Sequence, residues 1–374
     1  MELRKALIDK GLYEVLPYVK SLYLKRRYML LSYALVDNAE KQLINRMQSI
    51  KDEKEFELET LGHTAWGTKD RDRWNVSIDG LTVDIVDYVG KNVWEFFHYA
   101  RICLDMIPQI LNITAFDQNN RSKPDDVNIK RLIKSLPEHY AKIRELLKSF
   151  QNNECYKYIQ SIDDYLKHID SVGIKIQTKN WMEDFDSFII GDFVFRRKNY
   201  SKREIQQLLQ ETKGFVLNAI DQFFDELLDA SKESDFENRI TDVAYECLMK
   251  GRITEYMVFF VDIESPETLK SFKDRGIYIH PLIVGNDYHI YDDSTFAFDT
   301  IFIRQKQTQN ILGVAHLDAD SVQSFYKHYY VEPASEDDYS DFITKFKENY
   351  KRIRVKNILA FQGIERRLPV TEIQ

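Results

Sequence analysis

His98, Arg101, Asp105, Gln109 and Asn112 recur at three- or four-residue steps through the run KNVWEFFHYARICLDMIPQILNI, Lys91 to Ile113. At about 100° per residue they fall within an arc of roughly 80°. Phe96, Ala100, Cys103, Leu104, Ile107, Ile110 and Leu111 cover the other side. A histidine can move a proton while a nearby guanidinium holds a phosphate and a carboxylate orients both. On that reading His98 is the proton-transfer group, Arg101 stabilises phosphate and Asp105 positions them, with Asp163, Asp164 and His168 on a later helix as candidates to face them. The other reading is structural. A narrow polar stripe on an apolar helix must face water or find partners, because an unpaired buried charge is costly, and such stripes commonly fix helix register as hydrogen-bond networks. Arg101 with Asp105, and Asp164 with His168, have the i, i+4 spacing of ordinary helix pairs.

Two other groups of residues could carry chemistry. His280, His289, His316, Asp318 and Asp320 lie at or near the ends of expected strands, and imidazoles converging with carboxylates suit a divalent metal. Their spacing matches no metal motif, so packing or surface roles are the alternative and no metal or cofactor is assigned. The run FYKHYY, Phe325 to Tyr330, interleaves aromatic and basic residues that can stack on bases, but at helical spacing half of them belong to a core. Arg275 to His280 has an R-x4-H spacing where the chain enters a strand. There is no Walker loop, G-x-G-x-x-G, H-E-x-x-H, G-x-S-x-G or C-x-x-C, which argues against the nucleotide, zinc-protease, hydrolase and redox classes those motifs mark.

A chain of 374 residues suggests two or three domains. With 44% hydrophobic and 30% charged residues, and only 13 Gly and 8 Pro, packed domains are expected in place of long linkers. A net charge of −8 argues against a general nucleic-acid coat. Lys25-Arg26-Arg27 and Arg196-Arg197-Lys198 remain as local basic runs, usually solvated. The 3 cysteines, Cys103, Cys155 and Cys247, lack metal spacing and read as reduced thiols. No leader and no apolar run near the ~20 residues of a membrane span is visible, so the expected location is cytoplasmic.

The pattern predicts helix from Leu3 to about Ser49, started or interrupted at Pro17 and extended through the acidic segment to Gly62. Alternation around Asp79-Gly80 predicts a hairpin near 75–84. The opening helix follows, kinked at Pro108. The polar run Asp117 to Asp126 reads as a loop. Helices are then expected at about Val127–Lys134, Glu138–Ser149 and Glu154–Ser171, the last burying Cys155, Tyr158, Ile159, Ile162, Tyr165, Leu166 and Ile169. A second hairpin near 187–196 turns at Gly191-Asp192, and Ser201 to Glu204 reads as a capping box opening a helix to about Ala230. Ser231 to Glu237 reads as the domain boundary. Beyond it come a helix at about Glu237–Lys250, strands at Glu255–Asp262, Ile277–Val284, Tyr288–Tyr291, Thr300–Gln305 and Ile311–Leu317, and helices at about Asp320–Tyr330 and Ser335–Ile353. The expected fold is a mainly α N-terminal bundle, 1–230, with two small β-hairpins, followed by an α+β C-terminal domain, 231–374, with an antiparallel sheet.

The run EFFHYARICLDMIPQILN, with the paired helices after it and YIQSIDDYLKH, resembles helical-bundle proteins of the HEPN superfamily over about Asn92 to His168, and in extension to Ala230. The resemblance implies a bundle that pairs with a second copy, RNA or another protein as partner, and a setting in bacterial stress or anti-phage defence. HEPN ribonucleases carry R-x4-6-H on a helix. Here no arginine precedes His168 at that distance and no histidine follows Arg101 at it, which sets the family's ribonuclease activity in doubt. The leading expectation is therefore a binding or regulatory protein, with an atypical ribonuclease built on His98, Arg101 and Asp105 as the alternative.

Overall fold

The computed structural model describes residues 2–9, 12, 15–63, 75–78, 80–116, 122–178, 185–233, 243–250, 253–280, 283–284, 290–292, 300–321, 327–339, 351–355 and 360–362. The fold is α+β: long helices dominate the N-terminal part with small sheets among them, and a larger sheet forms the C-terminal part. The chain divides into two compact units, Lys20–Gln109 with Val127–Phe224, and Met1–Val19 with Ile110–Asp126 and Asp225–Gln374.

Helix α1 (Glu2–Asp9) precedes α2 (Leu16–Leu61), where Pro17 occupies the first turn and its missing N–H leaves no bond unmade. Val15 just before it, then Leu22, Met29, Val36, Leu43 and Ile50 along it, are all 0% exposed, one buried side chain every seventh residue. That spacing keeps a single seam on one side of the helix, drifting only ~20° per heptad. The helix stops at Gly62, whose φ of +70° suits a residue without a side chain and whose N–H reaches the Leu58 carbonyl at 2.9 Å.

Strands β1 (Val76–Ile78) and β2 (Leu81–Val83) form the expected hairpin, pairing Val76 with Val83 and turning through Gly80 at φ +81°. Asp84 then accepts from the Val86 N–H at 2.8 Å, starting α3 (Ile85–Ala115), which carries the polar stripe. Pro108 sits inside α3 without ending it. Its apolar arc is buried as the periodicity requires, Phe96, Phe97, Ala100, Cys103, Ile107 and Leu111 each at 0%. Helices α4 (Ile129–Ser135), α5 (Ala141–Asn152) and α6 (Glu154–His168) follow, with Asn128 and Asn153 as side-chain caps of α4 and α6. Helix α6 buries Tyr156 and Asp163 beside the expected Tyr158, Ile159 and Ile162, while Ile169, beyond its last turn, is 57% exposed.

The second hairpin is displaced from its expected place. Strand β4 (Phe185–Ile190) pairs with β3 (Ile174–Thr178) and β7 (Arg203–Glu204), whereas β5 (Phe193–Phe195) pairs with β6 (Lys198–Tyr200). The tight turn is thus Arg196-Arg197, both at positive φ, +48° and +65°. Gly191 instead donates its N–H to the Gly173 carbonyl at 2.8 Å. The Ser201 capping box does not form, because Arg203 and Glu204 are drawn into the sheet edge and α7 (Ile205–Glu233) begins after them. Ser231 to Glu233 end that helix; the remainder of the expected boundary lies outside the described residues.

The C-terminal sheet contains β8 (Val243–Lys250), β9 (Ile253–Ile263), β10 (Ile277–His280), β13 (Thr300–Gln305), β14 (Ile311–Leu317), β15 (Lys327–Pro333), β16 (Lys351–Val355) and β17 (Ala360–Gln362), in the order β16-β8-β9-β13-β14-β15-β10-β17. Strands β11 (Ile283–Val284) and β12 (Ile290–Asp292) pair apart from it. The sheet is mixed: β9 and β13 run parallel, and the other pairings are antiparallel. Three expected helices contain strand instead, at Val243–Lys250, Lys327–Tyr330 and Lys351–Ile353, while Ala319–Ser321 and Glu336–Tyr339, at the starts of the last two, form short 3-10 turns. Val243–Lys250 pairs with β9 directly after it and with β16, Lys327–Pro333 pairs with β14 and β10, and that cross-strand pairing overrides local preference. Helix α8 (Pro266–Arg275), between Ser265 and Gly276, is an addition to the expected elements. It lays Leu269 and Phe272 on Val261, Ile263, Ile301, Ile303, Tyr329 and Val331.

On the sheet's opposite face Phe260, Phe302 and Val314 pack together. Beside them the register sets Arg304 against Asp262, and the guanidinium forks onto the carboxylate at 2.6 and 3.0 Å while stacking 4.3 Å from the Phe260 ring centroid. Both are buried, at 2% and 8%. Removing one partner strands the other charge, so Arg304→Ala is expected to cost about 3–5 kcal/mol in urea unfolding. The Arg304→Met, Asp262→Leu pair is expected to recover most of that loss.

Candidate functional site

The polar stripe of α3 divides into two adjacent pairs. Arg101 Nε donates to Asp105 Oδ2 at 2.7 Å, the pairing its i, i+4 spacing allows. His98 takes a different acid, its Nδ1 lying 3.1 Å from Asp163 Oδ1 on α6. Lys167, one turn further along α6, donates to the second oxygen, Asp163 Oδ2, at 2.5 Å. Asp163 is 3% exposed at its side chain, whereas His98 and Lys167 are 43% and 41% exposed. The buried acid is therefore covered by two half-exposed bases, the inexpensive arrangement for a carboxylate, since its partners keep much of their hydration.

The apolar side of each helix fixes this geometry. Phe97 and Ala100 on α3, and Tyr158, Ile159 and Ile162 on α6, are buried, and the Phe97 and Tyr158 rings stand 5.7 Å apart. Tyr158 continues the contact to Phe193 and Tyr200, themselves stacked at 4.6 Å. With the rings seated, His98 and Asp163 have little freedom to separate.

Electrostatics distinguish the two pairs. Burial pushes the Asp105 carboxyl above its ordinary range, and the Arg101 charge and hydrogen bond offset only part of that. Half of the side chain, 51%, is still open to water, so the shift is a local one and implies little stability. Tyr156, buried below the stripe, has its phenol pushed up to about 12 by burial, with Arg101 opposing. One Arg101 nitrogen, Nη1, is buried with no hydrogen-bond partner. Cys103, on the apolar side of α3, is pushed up to about 12 by burial, leaving a thiol inert at neutral pH.

Of the residues expected to join the stripe, the structure brings in Asp163 and leaves out two others. Asp164 faces Arg196 at 3.3 Å, and His168 is exposed at the end of α6. Asn112 is buried and exchanges two hydrogen bonds with the Ser122 backbone, at 2.9 and 3.0 Å, so it anchors a loop. Lys167 and Tyr156 were not expected at the site. Lys167 stands four residues after Asp163, a spacing that signals the pair once Asp163 is known to be inside.

The C-terminal candidates disperse. Asp318 accepts from His328 at 3.1 Å and from the Tyr330 hydroxyl at 3.1 Å, and the His328 bond leads the effects that hold its carboxyl below the usual range. His316 is exposed, the His280 side chain and all of His289 lie outside the described residues, and among the described residues no group of three His, Cys, Asp or Glu is placed to hold a metal. In the FYKHYY run Lys327 is 1% exposed, inside the sheet, while Tyr330 points out at 57%. Among the described residues no helix is long and apolar enough to cross a membrane.

The arrangement can hold two helices in register, and it can hold an imidazole in one tautomer: a carboxylate at Nδ1 keeps the proton of the neutral ring there and leaves Nε2 as the acceptor. Asp163→Ala removes the shared acceptor and is expected to lower stability by about 2–3 kcal/mol. Asp105→Asn is expected to stay within about 1 kcal/mol of the parent, because the burial cost it relieves offsets the bond it weakens. Chemical unfolding of the two variants side by side checks the difference.

Comparison with known proteins leaves this geometry as the basis for a functional reading: no family model, curated protein or solved structure matches the chain.

Proposed function

We propose that this chain is a cytoplasmic binding or regulatory protein built on a helical bundle that pairs with a second copy of itself. The observation that carries the reading is the saturation of Asp163 by His98 and Lys167, beside Arg101 already engaged by Asp105. Acids that the protein's own bases neutralise serve register better than turnover. Pairing is supported by Leu24, Tyr28 and Leu31, at 44%, 36% and 54% exposure. They fall within roughly 60° of one side of α2, and a contiguous apolar stripe of this kind suits a helix-to-helix contact. The resemblance to HEPN bundles adds the setting, bacterial stress or anti-phage defence, and partner chemistry of RNA or another protein.

A second reading, an atypical ribonuclease, is favoured by one observation. The His98 ring is half-exposed with Asp163 behind its Nδ1, the disposition of an oriented general base. Arg101, its side chain 20% exposed beside the ring, would hold phosphate. Here Asp163, not Asp105, is the orienting acid.

Light scattering with an RNA-cleavage assay separates the two. The binding reading expects a mass twice that of the chain, a monomer on Leu31→Glu, and intact single-stranded RNA after incubation with the wild type. A monomeric wild type overturns the pairing. RNA cleavage that His98→Ala abolishes while stability stays within about 1 kcal/mol overturns the binding reading in favour of the enzyme.

A further inference from the structure

The side of α2 turned away from its buried seam is exposed from Lys20 to Glu59, with only Leu35 half-buried, and all of it lies within the unit Lys20–Gln109 with Val127–Phe224. Leu24, Tyr28, Leu31 and Leu35 follow one another there at alternating steps of four and three residues. Phe56, 68% exposed, stands twenty-one residues after Leu35 in the same row. Alternating steps of four and three make the contact seam of a coiled coil. Helix α2 thus carries a second seam, opposite the one it buries, that the described residues leave open.

The two ends of this second seam differ in charge. Lys20, Lys25, Arg26 and Arg27 stand between Lys20 and Leu31 with no acid among them, whereas Asp52 to Glu59 holds five acids and one base, Lys54. Arg26 lies 4.0 Å from Asp221. Arg27 and Glu55, both exposed on the outward side, meet no oppositely charged side chain among the described residues. A nucleic acid or an anionic membrane would suit the basic end and be repelled by the acidic one.

A copy of the same helix running the other way suits both ends. Side by side in parallel, two copies would set Arg27 on Arg27 and Glu55 on Glu55, and like charges so placed are unfavourable. Antiparallel, with the two-fold axis level with Glu40, the four-and-three rows interleave. Leu24 then meets Phe56 of the second copy, Asn38 meets Gln42, and Arg27 meets Glu55 on the flank. Polar residues at single seam positions, such as Asn38 and Gln42, specify register. We propose that two copies of this chain pair antiparallel through the outward faces of their α2 helices, with Leu24 on Phe56 and Arg27 on Glu55. By two-fold symmetry each contact is made twice. The proposal rests on the pairing reading and adds its geometry, in which the acidic end of α2 receives the basic, apolar end of its partner.

Disulfide trapping in the full chain tests it. Leu24 and Phe56 stand about 48 Å apart along one helix, and a disulfide needs Cα atoms within about 7 Å, so a bond between these positions joins two chains. Oxidised Leu24→Cys/Phe56→Cys is expected to run as a covalent dimer that reduction dissolves, while Leu24→Cys alone and Phe56→Cys alone give no more dimer than the wild type with its native cysteines. In light scattering, Arg27→Glu and Glu55→Arg should each raise the dimer's dissociation constant at least about tenfold, and the two together in one chain should restore it. Trapping by either single variant, or a dimeric wild type whose double variant does not trap or whose reversed charges do not rescue each other, overturns this geometry and leaves the pairing reading standing. A monomeric wild type overturns both and leaves the face to a different protein.

Discussion

A carboxylate 3% exposed between two helices is the constraint around which the α3 and α6 region is arranged. Asp163 would destabilise any apolar interface by several kcal/mol if left alone. His98 and Lys167 remove that penalty, one from each helix and each remaining half in water. The bond to Lys167 is local to α6, but the bond to His98 forms only when α3 lies at one rotation and one height. Apolar burial alone tolerates sliding by a turn, because Phe and Ile side chains are accepted by many neighbours. A directional bond from a ring to a buried acid is not so tolerant, so burial supplies the affinity between the helices and Asp163 supplies the register.

The C-terminal sheet uses the same device in a harsher form. Arg304 and Asp262 bury both partners, with a forked hydrogen bond and Phe260 replacing water around the guanidinium. They sit on the only parallel pair described, β9 with β13, where a one-residue slip of either strand would send its charge to the face occupied by α8 and leave the other unpaired. The two sites differ in what they leave open. Arg304 and Asp262 offer nothing to solvent, whereas His98, Lys167 and Asp105 present polar atoms that a partner or substrate can reach.

Much of this was legible in the sequence where the determinants are local. Helix α2 could be traced from Pro17 to Gly62, the first hairpin from Asp79-Gly80, and the apolar arc of α3 from its period, because each depends on residues within one or two turns of one another. Strands 243–250 and 327–333 were not legible: their spacing suits a helix as well, and partners elsewhere in the chain decide between them. The Arg196-Arg197 turn hid for another reason, since positive φ at two arginines contradicts turn preference, while Gly191-Asp192 five residues earlier mimicked it. Helix α8 carries local signals at both ends, Ser265-Pro266 before it and Gly276 after it. At the site, the Arg101 and Asp105 pair followed from spacing. That His98 would choose Asp163 over Asp105 could not, because 65 residues separate them and it takes the tertiary packing of the two helices, Phe97 against Tyr158 included, to bring them together.

The central claim is that the stripe of α3 works as a register lock through His98 and Asp163. A double-mutant cycle with His98→Ala, Asp163→Ala and the combined variant, read by urea unfolding at neutral pH, measures that bond directly. The account predicts a coupling of about 1–2 kcal/mol between the two positions. Additive losses, with coupling indistinguishable from zero, would contradict it and leave α3 and α6 held by apolar packing alone.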